Sequence, residues 1–183
     1  MPSAKEQFTV LAPPPAVWRR ITDFSRWGPW MVIEDPAAAG MGGQFARIDG
    51  EGSTARVGMF NGQELVQVFE TTDYLPPERL KLRLKEWNVD AADRAITSFR
   101  KETHPGRHRW YAAWLSEQWD FSIQVAPGDV TKATTTVTLE CSIEFTHPLG
   151  FLLLPGAESW IVRMLRRFSQ GFVASVEKEG PDA

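Results

Sequence analysis

A chain of 183 residues is long enough for one domain with a substantial core, and 43% hydrophobic against 23% charged residues is a globular balance that excludes a disordered chain. The net charge is −3, and the basic residues alternate with or sit opposite apolar ones, so no nucleic-acid surface is expected. A single cysteine, Cys141, excludes an internal disulfide and a cysteine-built metal site.

No charged start followed by an apolar h-region opens the chain, and the longest strongly apolar run is LGFLLLPG at 149–156. The expectation is therefore a cytoplasmic protein with no membrane span. No internal repeat or linker divides the sequence, which reads as one domain over residues 1–183.

In chain order, EQFTVLA (6–12) predicts a first strand that stops at Pro13-Pro14-Pro15, since proline cannot continue a ladder. Proline suits a helix's first turn, and Val17, Trp18, Ile21 and Phe24 follow at helical spacing. SRWGPW predicts a second short helix or turn, ended by Gly28-Pro29. From Gly42 the pattern is a meander. GGQFARIDG and STARVGMF are short strands, Asn61-Gly62 is a strong two-residue hairpin signal, and QELVQVFETTDY continues from it until Pro76-Pro77.

In RLKLRLKEW (79–87) Leu80, Leu82 and Leu84 alternate with Arg79, Lys81, Arg83 and Lys85, giving one dry and one wet face. Residues 88–109 lose the alternation and read as a loop or small excursion with a helical turn in AADRAITSF. YAAWLSEQWDFSIQV and TTTVTLECSIEF then predict two long half-buried antiparallel strands, with Pro127-Gly128-Asp129 in the loop between them. From Ala157 to Lys178 the positions Trp160, Ile161, Met164, Leu165, Phe168, Phe172 and Val176 follow helical spacing, with Pro155-Gly156 marking the start.

One strand, two short helices, about six antiparallel strands and one long helix make an α+β arrangement, in which a curved sheet wrapped about a helix easily encloses a hollow. The opening VLAPPPAVWRRITDFSRWGPW, the double-proline crossing in VFETTDYLPPERLKL and the C-terminal helix resemble the START-like, or SRPBCC, superfamily. That group has the helix-grip fold and includes Bet v 1-like proteins and the polyketide cyclase/dehydrase and lipid transport type.

The resemblance implies a curved antiparallel sheet of about six or seven strands around the long C-terminal helix, with two short helices after the first strand. It implies a hydrophobic small-molecule ligand, such as a polyketide, an aromatic compound or a lipid, held between sheet and helix without a cofactor. The protein is then either a carrier or a cofactor-independent cyclase or dehydratase. A different alternative is a protein-interaction role like that of co-chaperone relatives. Such a fold scaffolds many functions, so the site decides. The oligomeric state is left open.

Trp18 and Phe24 are expected in the core, and Trp27 or Trp30 at the ligand. The further expected lining residues are Phe45, Met59, Leu84, Trp119, Phe121, Trp160, Met164 and Phe168. Continuing the alternation of Leu80, Leu82 and Leu84 turns Glu86 inward, and continuing that of Trp119, Phe121 and Ile123 backwards turns Glu117 inward. Two readings stay open for this pair: acid–base groups with raised pKa in the cavity, or strand-end carboxylates that meet an arginine or water. Arg47 is either an inward cation that stabilises an enolate or a surface arginine, and Tyr111 either offers its hydroxyl to the cavity or sits at its rim.

His104 and His108 have helical metal-ligand spacing, but Pro105-Gly106 forbids the helix, so no metal is expected. His147, before Pro148, reads as a turn residue. No G-x-S-x-G, G-x-G-x-x-G or P-loop occurs. The excursion at 88–108 is longer than the tight connection expected between those strands, and an apolar FLLLP precedes the last helix; each is read as a lid, an added cavity wall or a surface excursion.

Overall fold

The computed structural model describes residues 2–31, 43–99, 106, 117–129, 133–145 and 154–180. Its strands are β1 (Ser3–Val10), β2 (Gln44–Asp49), β3 (Arg56–Asn61), β4 (Glu64–Leu75), β5 (Arg79–Trp87), β6 (Glu117–Pro127) and β7 (Thr135–Phe145). The helices are α1 (Pro14–Thr22), α2 (Trp27–Met31), α3 (Val89–Phe99) and α4 (Leu154–Glu179), with a 3-10 turn at Phe24–Arg26. The seven strands form one sheet in the order β1-β7-β6-β5-β4-β3-β2, every neighbouring pair antiparallel.

The sheet does not lie flat. Register shifts interrupt the β2–β3 ladder between Arg47 and Asp49, the β3–β4 ladder between Met59 and Phe60, and the β4–β5 ladder between Val68 and Phe69 and between Thr71 and Asp73. Each such bulge bends its strand and adds right-handed twist. They cluster in the β2–β5 half, while the C-terminal helix lies mainly against β1 and β7 at the other side of the sheet.

The amphipathic face of α4 fills the concavity. Ile161, Leu165, Phe168 and Phe172 are fully buried, spaced three or four apart so that they share one face. Phe8 of β1 meets Phe172 at 5.9 Å between ring centroids. The helix starts earlier than its apolar spacing predicts, at Leu154, because Pro155 and Gly156 fit within a first turn that needs no intrahelical N–H.

Proline also starts α1. Pro13 caps it through its carbonyl, which accepts from the Ala16 and Val17 N–H groups at 3.0 and 3.1 Å. At the other end, Arg20 is 2% exposed and donates from Nη1 to the Ser175 carbonyl at 3.0 Å and from Nη2 to the Gly180 carbonyl. It thereby satisfies carbonyls at the C-terminus of α4, where the helix dipole favours a cation. Arg26 adds a bond to Glu179 at 2.5 Å, so α1 and the turn after it hold the end of α4.

Three expectations change. The first strand begins at Ser3, ahead of the EQFTVLA run. At the β3–β4 hairpin the two loop residues are Gly62 and Gln63, with positive φ at Gly62 alone, the pattern of a II′ turn with glycine in its first central position. The excursion after β5 is a helix of 11 residues rather than one helical turn. Asn88 starts it by accepting the Ala91 N–H on its side-chain oxygen at 3.0 Å, with Asp90 in the first turn.

Candidate functional site

Between the concave sheet face, α2 and the first half of α4 lies an apolar cavity. Alternation along the strands builds its floor, since residues two apart share a face. Val57 and Met59 come from β3, Gln67 and Phe69 from β4, Leu82 from β5, Trp119 and Phe121 from β6, and Phe45 from β2. Trp27 closes one side, and Trp160 and Met164 of α4 close another.

Trp27 is the centre of the aromatic packing. Its ring meets Phe24, Phe45, Phe121 and Phe168 at centroid distances of 5.2, 5.8, 5.5 and 5.3 Å, mostly edge to face, the geometry that ring quadrupoles favour. Its indole N–H donates to the Ile21 carbonyl at 2.8 Å, so its polar atom is satisfied away from the cavity. Trp119 and Trp160 pair edge to face at 5.0 Å, bridging β6 to α4. Trp160 is half-buried, which places this pair towards the cavity's mouth.

The space inside is narrow: the centres of water-sized spheres reach about 40 Å³ of it. One water needs roughly 10–15 Å³ on that measure, and drug-sized ligands occupy pockets of about 300–1,000 Å³. Anything larger than a few waters therefore enters only as the rings move apart.

Several expected site residues lie elsewhere. Glu86 is exposed and pairs with Arg56 at 2.8 Å on the outer face, which corrects the inward placement. The reason is the bulge: Leu84 pairs with Phe69 but Glu86 pairs with Val68, so Lys85 is the extra residue and the alternation shifts there. Arg47 shares the parity of Phe45 and opposes Val57, but it lies near the end of the edge strand β2, where its side chain is exposed and 3.6 Å from Glu51, so its reading as an inward cation is corrected.

Trp30, Leu84 and Phe168 are buried but do not line the cavity. Trp30 packs edge to face on Phe168 and Phe172, behind the wall that Trp27 forms. Glu117 opens β6 opposite Phe145, and its side chain lies outside the described residues, as do Tyr111, His104, His108 and His147. Val57, Gln67, Phe69 and Leu82 line the cavity in addition to the residues the sequence predicts there.

Gln67 is the polar exception. It is 2% exposed, lines the cavity, and its side-chain Nε2 has no hydrogen-bond partner among the described residues. It stays hidden in the sequence because Val66 and Val68 flank it, so alternation reads those two as the dry face. Both faces of β4 are dry here: Val66 and Val68 are buried as well, and α3 packs on β4. A near-continuous apolar run is the signature of a strand covered on both sides, and LVQVF fits it.

Among the described residues the charged groups sit outside the cavity. Burial works to raise the Asp23 carboxyl, but hydrogen bonds from Ser25 and Arg26 outweigh it and hold it below its ordinary value. The Arg26 hydrogen bond holds Glu179 below its ordinary value as well. Glu64 is lowered by Arg94, and Arg83 is raised by Asp120; both pairs lie on solvated surfaces.

A seven-stranded antiparallel sheet curled around a long C-terminal helix, with short helices after the first strand and an apolar hollow between the layers, is the helix-grip fold of START-like proteins. Solved structures share it over nearly the whole chain. A protein from Thermus thermophilus is 16% identical, with 97% of this chain and 98% of that one covered and a TM-score of 0.61. A protein described as belonging to the START superfamily, from Mycobacterium smegmatis, is 12% identical over 97% and 99% of the two chains, at a TM-score of 0.59. A Nitrosospira multiformis protein is 17% identical over 94% of each, at 0.56. No family model matches the chain, and no curated protein matches it by sequence. At these identities the likeness is one of fold.

Proposed function

We propose that this protein binds a hydrophobic small molecule, aromatic, polyketide-like or lipid-like, in the cavity between its sheet and α4. The observation that carries this reading is the lining itself. Aromatic and aliphatic side chains from five strands, β2 to β6, from α2 and from α4 converge on one hollow, and apart from Gln67 every described side chain lining it is apolar. A hollow lined almost wholly by apolar groups gains most from a ligand that brings apolar surface out of water.

Carriage or sensing is favoured over catalysis. Of the four proposed catalytic groups, Glu86 is on the outer face and Arg47 is exposed at the edge strand, paired with Glu51. Glu117 is the acid–base group on which a cyclase or dehydratase reading rests, by its place two residues before Trp119. The test is native mass spectrometry of the purified protein for a retained small molecule, with tryptophan-fluorescence titration against neutral aromatic compounds and fatty acids, on wild type and Glu117→Gln. Saturable binding in both proteins without turnover is the carrier outcome. Turnover lost in the variant with binding retained makes the protein an enzyme, and no saturable binding refutes the ligand reading.

A further inference from the structure

The one polar side chain among the cavity's described lining residues also limits what the ligand can be. We infer that Gln67 is a hydrogen-bond donor to a neutral oxygen acceptor, a carbonyl or ether, carried on an otherwise apolar ligand. This rests on the cavity-binding reading above and adds to it the chemistry of the ligand's polar end.

Three observations carry it. First, Gln67 is 2% exposed, yet its Nε2 lacks an acceptor among the described residues, an arrangement that costs free energy unless something in the cavity accepts from it. Second, the residue directly opposite on β5, Trp87, also has a buried donor, Nε1, without a partner among the described residues. Directly opposed residues of an antiparallel pair face the same side with Cβ atoms about 4.5–5.5 Å apart. Trp87 does not itself line the cavity, so Gln67 is the donor the cavity presents, with a second N–H that no acceptor among the described residues meets on the neighbouring strand. An oxygen with two lone pairs is the complement to such a donor.

Third, among the described residues the rest of the lining has no cationic side chain. A carboxylate placed there would lose its hydration with no counter-charge to replace it. A neutral acceptor loses much less, so fatty-acid headgroups and other anions are disfavoured at this end, and ketones, lactones, quinones and ethers are favoured.

The test uses acetophenone and its hydrocarbon isostere α-methylstyrene, which replaces C=O by C=CH₂ at nearly constant shape, with benzoate as the anion. Because the ketone also leaves stronger hydration behind in water, the informative quantity is how the ketone-to-alkene affinity ratio changes between wild type and Gln67→Leu, each followed by NMR titration. We expect that ratio to fall about tenfold in the variant, equivalent to about 1.4 kcal/mol. Benzoate is expected to bind wild type at least tenfold more weakly than acetophenone.

A second readout needs no variant. In wild type, the Gln67 side-chain amide signals should shift with acetophenone and stay in place with α-methylstyrene. A ratio unchanged within twofold, amide signals indifferent to bound ketone, or benzoate binding as well as the ketone overturns the Gln67 assignment while leaving the cavity reading in place. Neither neutral compound binding to wild type overturns both.

Discussion

Gly171 sits where α4 passes closest to α2, and replacing it by alanine sets two effects of opposite sign against each other. In an open helix interior the exchange stabilises by about 0.8–1.0 kcal/mol. Here the added methyl would lie 2.8 Å from Trp30 Cα, 3.0 Å from its Cβ and 3.2 Å from its Cδ1. Carbon atoms prefer about 3.5–4.0 Å. The nearest of these atoms is backbone, so no side-chain rotation relieves the clash, and α2 must move off α4. Overpacking of this kind costs about 1–3 kcal/mol, which after subtracting the propensity gain leaves a net loss centred on about 1 kcal/mol. For a chain of this size that lowers Tm by about 2–4 °C. Gly156, in the first turn of the same helix, has nothing within 4 Å of its would-be Cβ, so Gly156→Ala is the control. It should be neutral or stabilising by a few tenths of a kcal/mol. Urea unfolding followed by tryptophan fluorescence measures both. Gly171→Ala as stable as wild type, or more so, would refute the packing argument.

Other substitutions probe the remaining features. Trp27→Ala removes a ring in contact with four others and should cost about 3–5 kcal/mol, read from the same urea curves; a loss under about 1 kcal/mol would deny Trp27 its central place. Asp23 and Glu179 titrate lower in the folded protein than unfolded, so each adds stability above its unfolded value, and that contribution disappears as pH falls through the folded value, below about pH 4. The Asp23→Asn, Glu179→Gln double variant should therefore show a flatter acid limb in Tm against pH, and an unchanged limb would count against the Arg26 pairing. Glu86→Gln breaks an exposed pair and should change stability by less than about 1 kcal/mol. Ligand affinity should not change, and a tenfold loss would contradict the outer-face placement of Glu86.

The regular parts of the fold are legible in the chain because they repeat. Leu80, Leu82 and Leu84 on β5, Trp119, Phe121 and Ile123 on β6, and the helical spacing of Ile161 to Val176 each assign a face before any contact is known, and the structure buries those faces. What defeats the reading is whatever breaks the repeat by one residue. The bulge at Lys85 leaves no local mark, since Lys85 and Glu86 are both charged, yet it decides that Glu86 is outside and that Trp87, half-buried, is inside. Gln67 is hidden for the opposite reason. Its neighbours are apolar because a helix covers them, and that helix itself reads as a loop, although Asn88 and Asp90 mark its start. Missing α3 thus conceals the polar group in the cavity on the other side of the sheet.

The clamp that Arg20 and Arg26 place on the end of α4 makes that helix a lever with a fixed fulcrum. Arg20 holds Ser175 and Gly180, Arg26 holds Glu179, and Phe172 and Val176 are buried beside them, so this end cannot lift without breaking several contacts at once. At the far end Gly156, Glu158 and Ser159 are exposed and Trp160 is half-buried. From Ser175 back to Trp160 is about 22 Å at 1.5 Å per residue, so a tilt of about 8° about the clamped end carries Trp160 some 3 Å away from Trp119. That travel is close to the thickness of an aromatic ring. A cavity that holds only a few waters at rest can thus admit a flat molecule by a small rotation of one rigid element, with the long arm ending at the cavity's mouth.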